Sequence, residues 1–260
     1  VVVNSGGGGA RRSLAEAGLD VRVIERPDRL FPGGARNLGI ASTSAPWVSF
    51  LADDCEAEPG WVEARLAAHR AGAEAVASAV TNPDGRNVAA WTSYVSLFNR
   101  RMPGISPARA LLYGASYARD LFSRFGNFRE DLRTGEDTEF HQRLADRVPI
   151  VWEPRVRTAH RHPTDFRSLL SDHFRRGARS AATWREFGGP GALAVAANAI
   201  RRAPAAARSA WEAAEPKQRK WIAAAALLLP VPVLAYAAGS LSGGWASGRP
   251  GPPSPLVREA

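Results

Sequence analysis

The apolar and polar positions of this 260-residue chain fall into two textures. Up to about residue 165, short apolar runs alternate with segments of helical period, and turn residues separate them. Val1 to Asn4, Val21 to Glu25, Ala75 to Val80 and Val148 to Arg157 read as strands, each a short β-branched or aliphatic run bounded by Gly, Pro, Asn or charge. Arg11 to Gly18 reads as a helix with Gly18 as its C-cap, and Ala35 to Ala41, Trp61 to Ala71, Ala89 to Asn99 and Ala118 to Phe125 read as further helices. Asn82-Pro-Asp-Gly85 is a turn. Strands alternating with helices predict an α/β fold, with a mixed, mostly parallel sheet flanked by helices and followed by a helical C-terminal region. From Asp165 the texture changes. Phe166 to Phe187 is basic and helical, Gly188-Gly-Pro-Gly191 breaks it, and Ala192 to Ala214 is rich in alanine. No charged residue occurs from Trp221 to Gly248. A membrane span needs about 20 apolar residues. Trp221 to Ala238 nearly supplies them, with Pro230 and Pro232 expected to kink the helix. The expected divisions are an α/β domain over 1–165, a basic helical region over 166–216, a transmembrane or membrane-associated segment over 217–246, and a disordered tail over 247–260.

Two stretches within the α/β part carry candidate chemistry. In the first, Trp47, Val48, Phe50 and Leu51 form a nearly continuous apolar run, which predicts a strand buried on both faces. It stops at Asp53 and Asp54, where open α/β sheets place ligands. Paired carboxylates are hard oxygen ligands for Mg²⁺ or Mn²⁺, and the same pair also reads as a strand end followed by a helix cap. In the second, Thr134 can cap a helix whose first turn holds Glu136 and Asp137, with Arg143 further along. His160 and His162 follow a strand, where a histidine can complete an oxygen-rich metal site or serve a structural role. Ser5 and the glycines Gly6 to Gly9 form a turn between strand and helix. Such a turn can cradle phosphate, although it has neither dinucleotide nor P-loop spacing. Arg36 is a phosphate contact or a surface cap, and Asn37 a residue holding the loop before the acidic strand or likewise a surface cap. Trp91, Tyr94, Leu97 and Phe98 read as packing residues or as the wall of an acceptor pocket. His69 is expected to lie exposed on its helix.

Charge narrows the partners. The formal net charge is +9, with 34 Lys and Arg against 25 Asp and Glu. An arginine-dominated excess suits phosphates or an anionic membrane surface. There is no zinc-finger spacing and no aromatic-basic RNA motif, which argues against nucleic acid. Cys55 is the single cysteine, so an intrachain disulfide and a cysteine-based metal cluster are excluded, and a reducing setting is compatible. The chain shows no signal peptide, has no initiator Met and opens inside a strand, as expected of a chain lacking its natural start. Lys217, Arg219 and Lys220 precede the uncharged stretch and would stay cytoplasmic, together with the α/β domain.

The order of these motifs carries more information than any one of them. A strand with a Ser-Gly turn is followed by Ala35-Arg36-Asn37-x-Gly39, Phe50-Leu-Ala-Asp53-Asp54, Gly114-Ala-Ser-Tyr-Ala118, Gly126-Asn-Phe-Arg-Glu-Asp-Leu132, and Gly135-Glu136-Asp137-Thr-Glu139 with Arg143. Over about residues 1 to 180 this set resembles the family 2 glycosyltransferases of GT-A fold. The resemblance implies inverting transfer from a nucleotide-diphosphate sugar to a hydroxyl acceptor, a glycan or lipid-linked acceptor of the cell envelope, and Mg²⁺ or Mn²⁺ as cofactor. It implies Asp137 as catalytic base, Asp54 and His160 (or His162) at the metal, and Asp53 on the donor ribose. Asn4, Ser5, Arg36 and Asn37 would serve donor binding, and Glu136 and Arg143 the acceptor or its loop. The chain departs from the family in three ways. Asn4-Ser5-Gly6 stands where many members have an Asp-rich turn, Ala52 stands where the acidic triplet often begins with Asp, and the usual first strand and helix are absent. A metal-dependent nucleotidyltransferase is the second enzymatic reading, and a degenerate non-catalytic domain binding a membrane or acidic partner is the third.

Overall fold

The computed structural model describes residues 1–245. In chain order these form β1 (Val2–Ser5), α1 (Ala10–Glu16), β2 (Val23–Arg26), α2 (Pro32–Ala41), β3 (Trp47–Ser49) and β4 (Cys55–Ala57). There follow α3 (Trp61–Arg70), β5 (Ala75–Thr81), α4 (Val88–Phe98), β6 (Ser116–Ala118), α5 (Asp120–Phe125), α6 (Glu136–Leu144) and β7 (Ile150–His160). Helices α7 (Phe166–Glu186), α8 (Ala192–Ala213), α9 (Arg219–Leu228) and α10 (Pro230–Trp245) complete the described chain. The expected tail over 247–260 lies outside the described residues. Local chemistry accounts for several boundaries. Pro32 opens α2 after an extended Phe31, as a residue with fixed φ and no N–H does well at a first helical position. Asn87 caps α4 by accepting from Ala90 N at 2.9 Å, and Asp165 caps α7 by accepting from Ser168 N at 2.8 Å.

The chain divides into two compact units. The first comprises Val1–Phe50, Arg65–Ala77 and Tyr113–Val151. In it β1 and β2 pair in parallel, Val2 opposite Val23 through Ser5 opposite Arg26. Strand β6 runs antiparallel to β3 on one side and to the start of β5 on the other. The core of this unit is aromatic. Phe140 stacks on Phe122 at 5.3 Å between centroids, meets Tyr117 edge-on at 5.2 Å and lies 4.9 Å from Phe128. Each such pair contributes about 0.5–1.5 kcal/mol beyond its buried area.

The second unit comprises Leu51–Ala64, Ser78–Leu112 and the chain from Trp152 onward. Here β4 pairs antiparallel with β7, Cys55 opposite His160 and Ala57 opposite Thr158. Tyr94 of α4 is buried and donates its hydroxyl to the carbonyl of Val80 at 2.6 Å. Trp91 and Tyr94 meet edge-on at 5.6 Å, so these aromatics pack the interior. Helix α10 packs on α7 and α8, and α9 on α4. The α7–α10 approach needs glycine: a Cβ at Gly177 would overlap the carbonyl oxygen of Tyr236, and one at Gly239 that of Phe174.

Four sequence expectations are corrected. The sheet is mixed, as expected, but not mostly parallel. In the five-stranded order β3-β6-β5-β7-β4, β6 is antiparallel to both its neighbours and β4 to β7. Strand–helix alternation does not fix a strand's direction, and β6 enters between β3 and β5 running against both. The apolar run from Trp47 is not a strand buried on both faces. It pairs only from Trp47 to Ser49, stands at the edge of the five-stranded sheet, and leaves Leu51 48% exposed. His69 is buried, not exposed: its Nδ1 lies 2.6 Å from Ala73 O, its Nε2 2.8 Å from Ser116 Oγ, and its ring stacks on Trp47. It shares the inward face of α3 with Arg65, four residues earlier, and burial lowers its pKa. Finally, Thr134 does not cap the Glu-Asp helix. The N-cap of α6 is Gly135 in the left-handed conformation (φ 87°), which glycine adopts without a Cβ clash.

Candidate active site

In the first unit, the candidate groups come from β1, α2 and α6. Arg36 sits in the middle of α2 with its guanidinium between the rings of Phe50 and Phe128, 5.3 and 5.4 Å from their centroids. Its Nη1 lies 2.6 Å from Glu136 Oε1, so the residue expected at a phosphate is ion-paired with the first acid of α6. Glu136 is buried. Burial raises its pKa, while Arg36 and the backbone N–H groups of Gly135 and Glu136 oppose that rise. Asn37, the next residue of α2, clips the segment after α5: Nδ2 donates to Phe128 O at 2.8 Å and to Glu130 Oε1 at 2.9 Å, and Oδ1 accepts from Phe128 N at 3.1 Å. Ser5 Oγ at the end of β1 accepts from Leu30 N at 3.1 Å, and Asn4, half-buried, pairs in register with Glu25.

Asp137 is half-buried in the first turn of α6. Its Oδ1 accepts from the backbone N–H of Thr138 at 2.8 Å and from Thr138 Oγ1 at 3.5 Å. Both bonds use the same oxygen, and Oδ2 takes no part in them. Carboxylates at this position suit the positive end of the helix dipole. One turn later, His141 accepts from or donates to the phenol of Tyr117 across 2.7 Å and stacks on Tyr113 at 5.4 Å. Burial pushes its pKa down to about 4, so the imidazole is neutral at pH 7. Arg143 closes the helix: it is paired with Glu139 at 2.9 Å and donates to the carbonyls of Phe125, Gly126 and Asn127.

In the second unit, Asp53 and Asp54 occupy the tight turn that opens β4, and both are exposed. The antiparallel register of β4 on β7 brings His160 across from this turn, and Arg161 N extends the ladder by donating to Asp54 O at 2.9 Å. Asp54 Oδ2 lies 3.4 Å from His160 Nε2. The hydrogen bond to His160 is the largest influence on Asp54 and takes its pKa down to about 2. Asp54, Cys55 and His160 each offer a ligand atom, and these atoms lie within 4.8 Å of one another. His160 Nδ1 is buried with no hydrogen-bond partner. His162, packed edge-on to Tyr94 and Phe98, has its Nδ1 3.3 Å from Ser93 Oγ, and burial takes its pKa down to about 3.

The structure therefore joins Asp54 to His160 and Arg36 to Glu136, and it turns the side chains of Asn37 and Arg143 onto the segment after α5 rather than to open surface. Three neighbours escaped sequence reasoning. Cys55 was read only for what it excludes, although it adjoins Asp54; its thiol is pushed up to about 12 by burial first and by Asp54 second. His141 lies four residues after Asp137, on the same helix face, and that spacing was a usable signal. Tyr117 carried no such signal, because its partner is 24 residues away on another element.

Residues 2–130 match the model for glycosyl transferase family 2. Two curated relatives, the pre-mycofactocin glycosyltransferases of Mycobacterium tuberculosis strains CDC 1551 / Oshkosh and ATCC 25618 / H37Rv, are each 29% identical over 171 residues, covering 60% of this chain and 35% of theirs. The chain thus spans about a third of the length of the curated relatives it matches. Among solved structures, a mannosyltransferase from Pyrobaculum calidifontis in complex with GDP-Man and Mn²⁺ is similar at TM-score 0.48 and 19% identity, over 95% of this chain and 66% of that one. S. aureus TarS 1-349 is similar at TM-score 0.46 and 14% identity, over 81% and 59%.

Proposed function

We propose that this protein transfers a sugar, with inversion, from a nucleotide-diphosphate sugar to a hydroxyl on a glycan or lipid-linked acceptor of the cell envelope. The observation that carries the reading is the pairing of Asp54 with His160, 106 positions apart, in a chain whose residues 2–130 match the family 2 model. An ionised carboxylate and an imidazole nitrogen suit Mn²⁺ or Mg²⁺, and the buried, unpartnered Nδ1 of His160 shows the ring held by packing rather than by a competing bond. Asp54 and His160 would hold the cation, with Asp53 as the donor-ribose contact. A divalent ion bound there supplies charge neutralisation for the departing diphosphate.

Asp137 serves as general base. Its Oδ1 is fixed by Thr138, and Oδ2 receives the proton of the acceptor hydroxyl as oxygen attacks the anomeric carbon. Glu136 is ion-paired and buried, so it orients the start of α6 through Arg36 and does not collect protons. Neutral His141, held between Tyr117 and Tyr113, walls the same helix face.

The test is a panel of nucleotide-sugars scored for diphosphate release, followed by parallel kinetics of Asp137→Asn and Glu136→Gln. Asp137→Asn is expected to keep donor affinity and lose about 10²–10⁴-fold in turnover. Asp54→Ala is expected to lose divalent-dependent donor binding while staying folded. Near-normal transfer by Asp137→Asn, or metal-dependent donor binding by Asp54→Ala, overturns the respective assignment.

A further inference from the structure

The bent pair α9–α10 has two unlike faces. On one, Ile222, Ala225, Leu229 and Val233 are buried against the rest of the second unit. The other is open to solvent, and every exposed residue on it from Ala223 to Leu241 is apolar. Ala223, Leu227, Val231, Leu234, Ala238 and Leu241 recur at steps of three and four, which is one helix face. Leu227 is 83% exposed and Leu234 58%. A run of exposed aliphatics with no interspersed polar group is not what a water-facing helix carries.

The N-terminal end of this stripe is cationic and aromatic. Lys217, Arg219 and Lys220 are all exposed; Arg219 lies over the ring of Trp211 and Lys220 over that of Trp221, each at 5.4 Å. Lys217 has one acid beside it, Glu215 at 2.9 Å, both well exposed. Among the described residues no single helix is long and apolar enough to cross a membrane, and the two helices meet at a 48° bend. One side of the pair is moreover occupied by protein, including the close α7–α10 contact at Gly177 and Gly239.

We propose that the outer face of α9–α10 docks on the surface of an anionic lipid bilayer, with the stripe entering the acyl boundary and Lys217, Arg219 and Lys220 meeting the headgroups. Charge decides between this occupant and a second copy of the chain. The stripe carries no acid, and in a self-complementary contact the basic end meets only the same surface on the other copy, where the neighbouring acid Glu215 is already paired with Lys217. A bilayer offers both hydrocarbon and negative charge. The inference goes beyond sugar transfer and is read without it.

The experiment is flotation of the full chain with vesicles of phosphatidylcholine alone and of phosphatidylcholine with phosphatidylglycerol. Each basic residue near an anionic surface contributes roughly fivefold, so the wild type is expected to bind the anionic vesicles on the order of a hundredfold more tightly. Lys217→Gln/Arg219→Gln/Lys220→Gln is expected to lose that preference. Leu227→Glu/Leu234→Glu is expected to lose about tenfold or more on anionic vesicles. Both leucines are exposed, so its melting temperature is expected to match the wild type. The proposal is overturned if the folded wild type does not float with anionic vesicles, or if the leucine variant floats as well as the wild type. It is equally overturned if the wild type is a dimer that the leucine variant dissociates while neither binds vesicles.

Discussion

Replacing Arg36 by Met tests the electrostatics at the start of α6. The thioether keeps an apolar contact with Phe50 and Phe128 but withdraws the cation 2.6 Å from Glu136, whose side chain is 6% exposed. Removing one partner of a fully buried ion pair costs about 3–5 kcal/mol. Arg36 itself is 28% exposed, and Glu136 keeps backbone N–H groups at the helix terminus, so the loss here is smaller, about 2–3 kcal/mol at neutral pH. That corresponds to a fall of roughly 4–10 °C in melting temperature. The sign of the pH dependence follows from Glu136. Burial raises its folded pKa and Arg36 opposes that, so the mutation raises it further. An acid raised in the fold contributes stability below its unfolded pKa, and loses it as pH rises through the folded value. The gap between mutant and wild type is therefore narrow near about pH 4, where Glu136 is protonated in both, and widens towards about pH 8. Thermal unfolding across that range measures it, and Arg36→Met/Glu136→Gln should recover at least about 1 kcal/mol. A gap independent of pH, or a double mutant no better than the single, refutes the reasoning.

Asn37→Ala strips both Phe128 backbone groups of their partners in a buried segment. It should lower stability by about 2–4 kcal/mol, seen as a lower urea midpoint, and a loss under about 1 kcal/mol would contradict the clip. Gly239→Val drives a side chain into the Phe174 carbonyl and should cost about 1–3 kcal/mol or more in thermal unfolding. Gly85→Ala, with open space around the added methyl and no positive φ, is the matched control and should melt with the wild type; equal melting of the two variants would remove the close-approach argument.

What the sequence made legible was periodicity. Helices α3, α4, α7 and α8 begin and end within a residue or two of the boundaries that apolar spacing and the Gly188–Gly191 break imply. Partners were not legible. Trp47 and Val48 look like a central strand because the run is apolar, yet whether a strand is central depends on its neighbours. The one neighbour of β3 in the sheet is β6, about 70 residues later and antiparallel. His69 read as exposed because its helix is polar overall, while Ser116 and Ala73, which hold it inside, are invisible to local spacing. The site behaves in the same way. Residue type announces a carboxylate pair, a Glu-Asp helix start and a late histidine, but the register that brings His160 to Asp54 is set by β4 pairing with β7. Arg36 shows the limit most clearly. Its type suits a phosphate, and its position in the motif order suggested one. In the fold its guanidinium is committed to a buried carboxylate 100 positions away. A phosphate can reach Arg36 only by sharing it with Glu136 or displacing it, and a displaced Glu136 would sit buried at the start of the helix that carries Asp137. Occupancy of Arg36 and the setting of Asp137 are thereby physically linked, through a contact no local motif encodes.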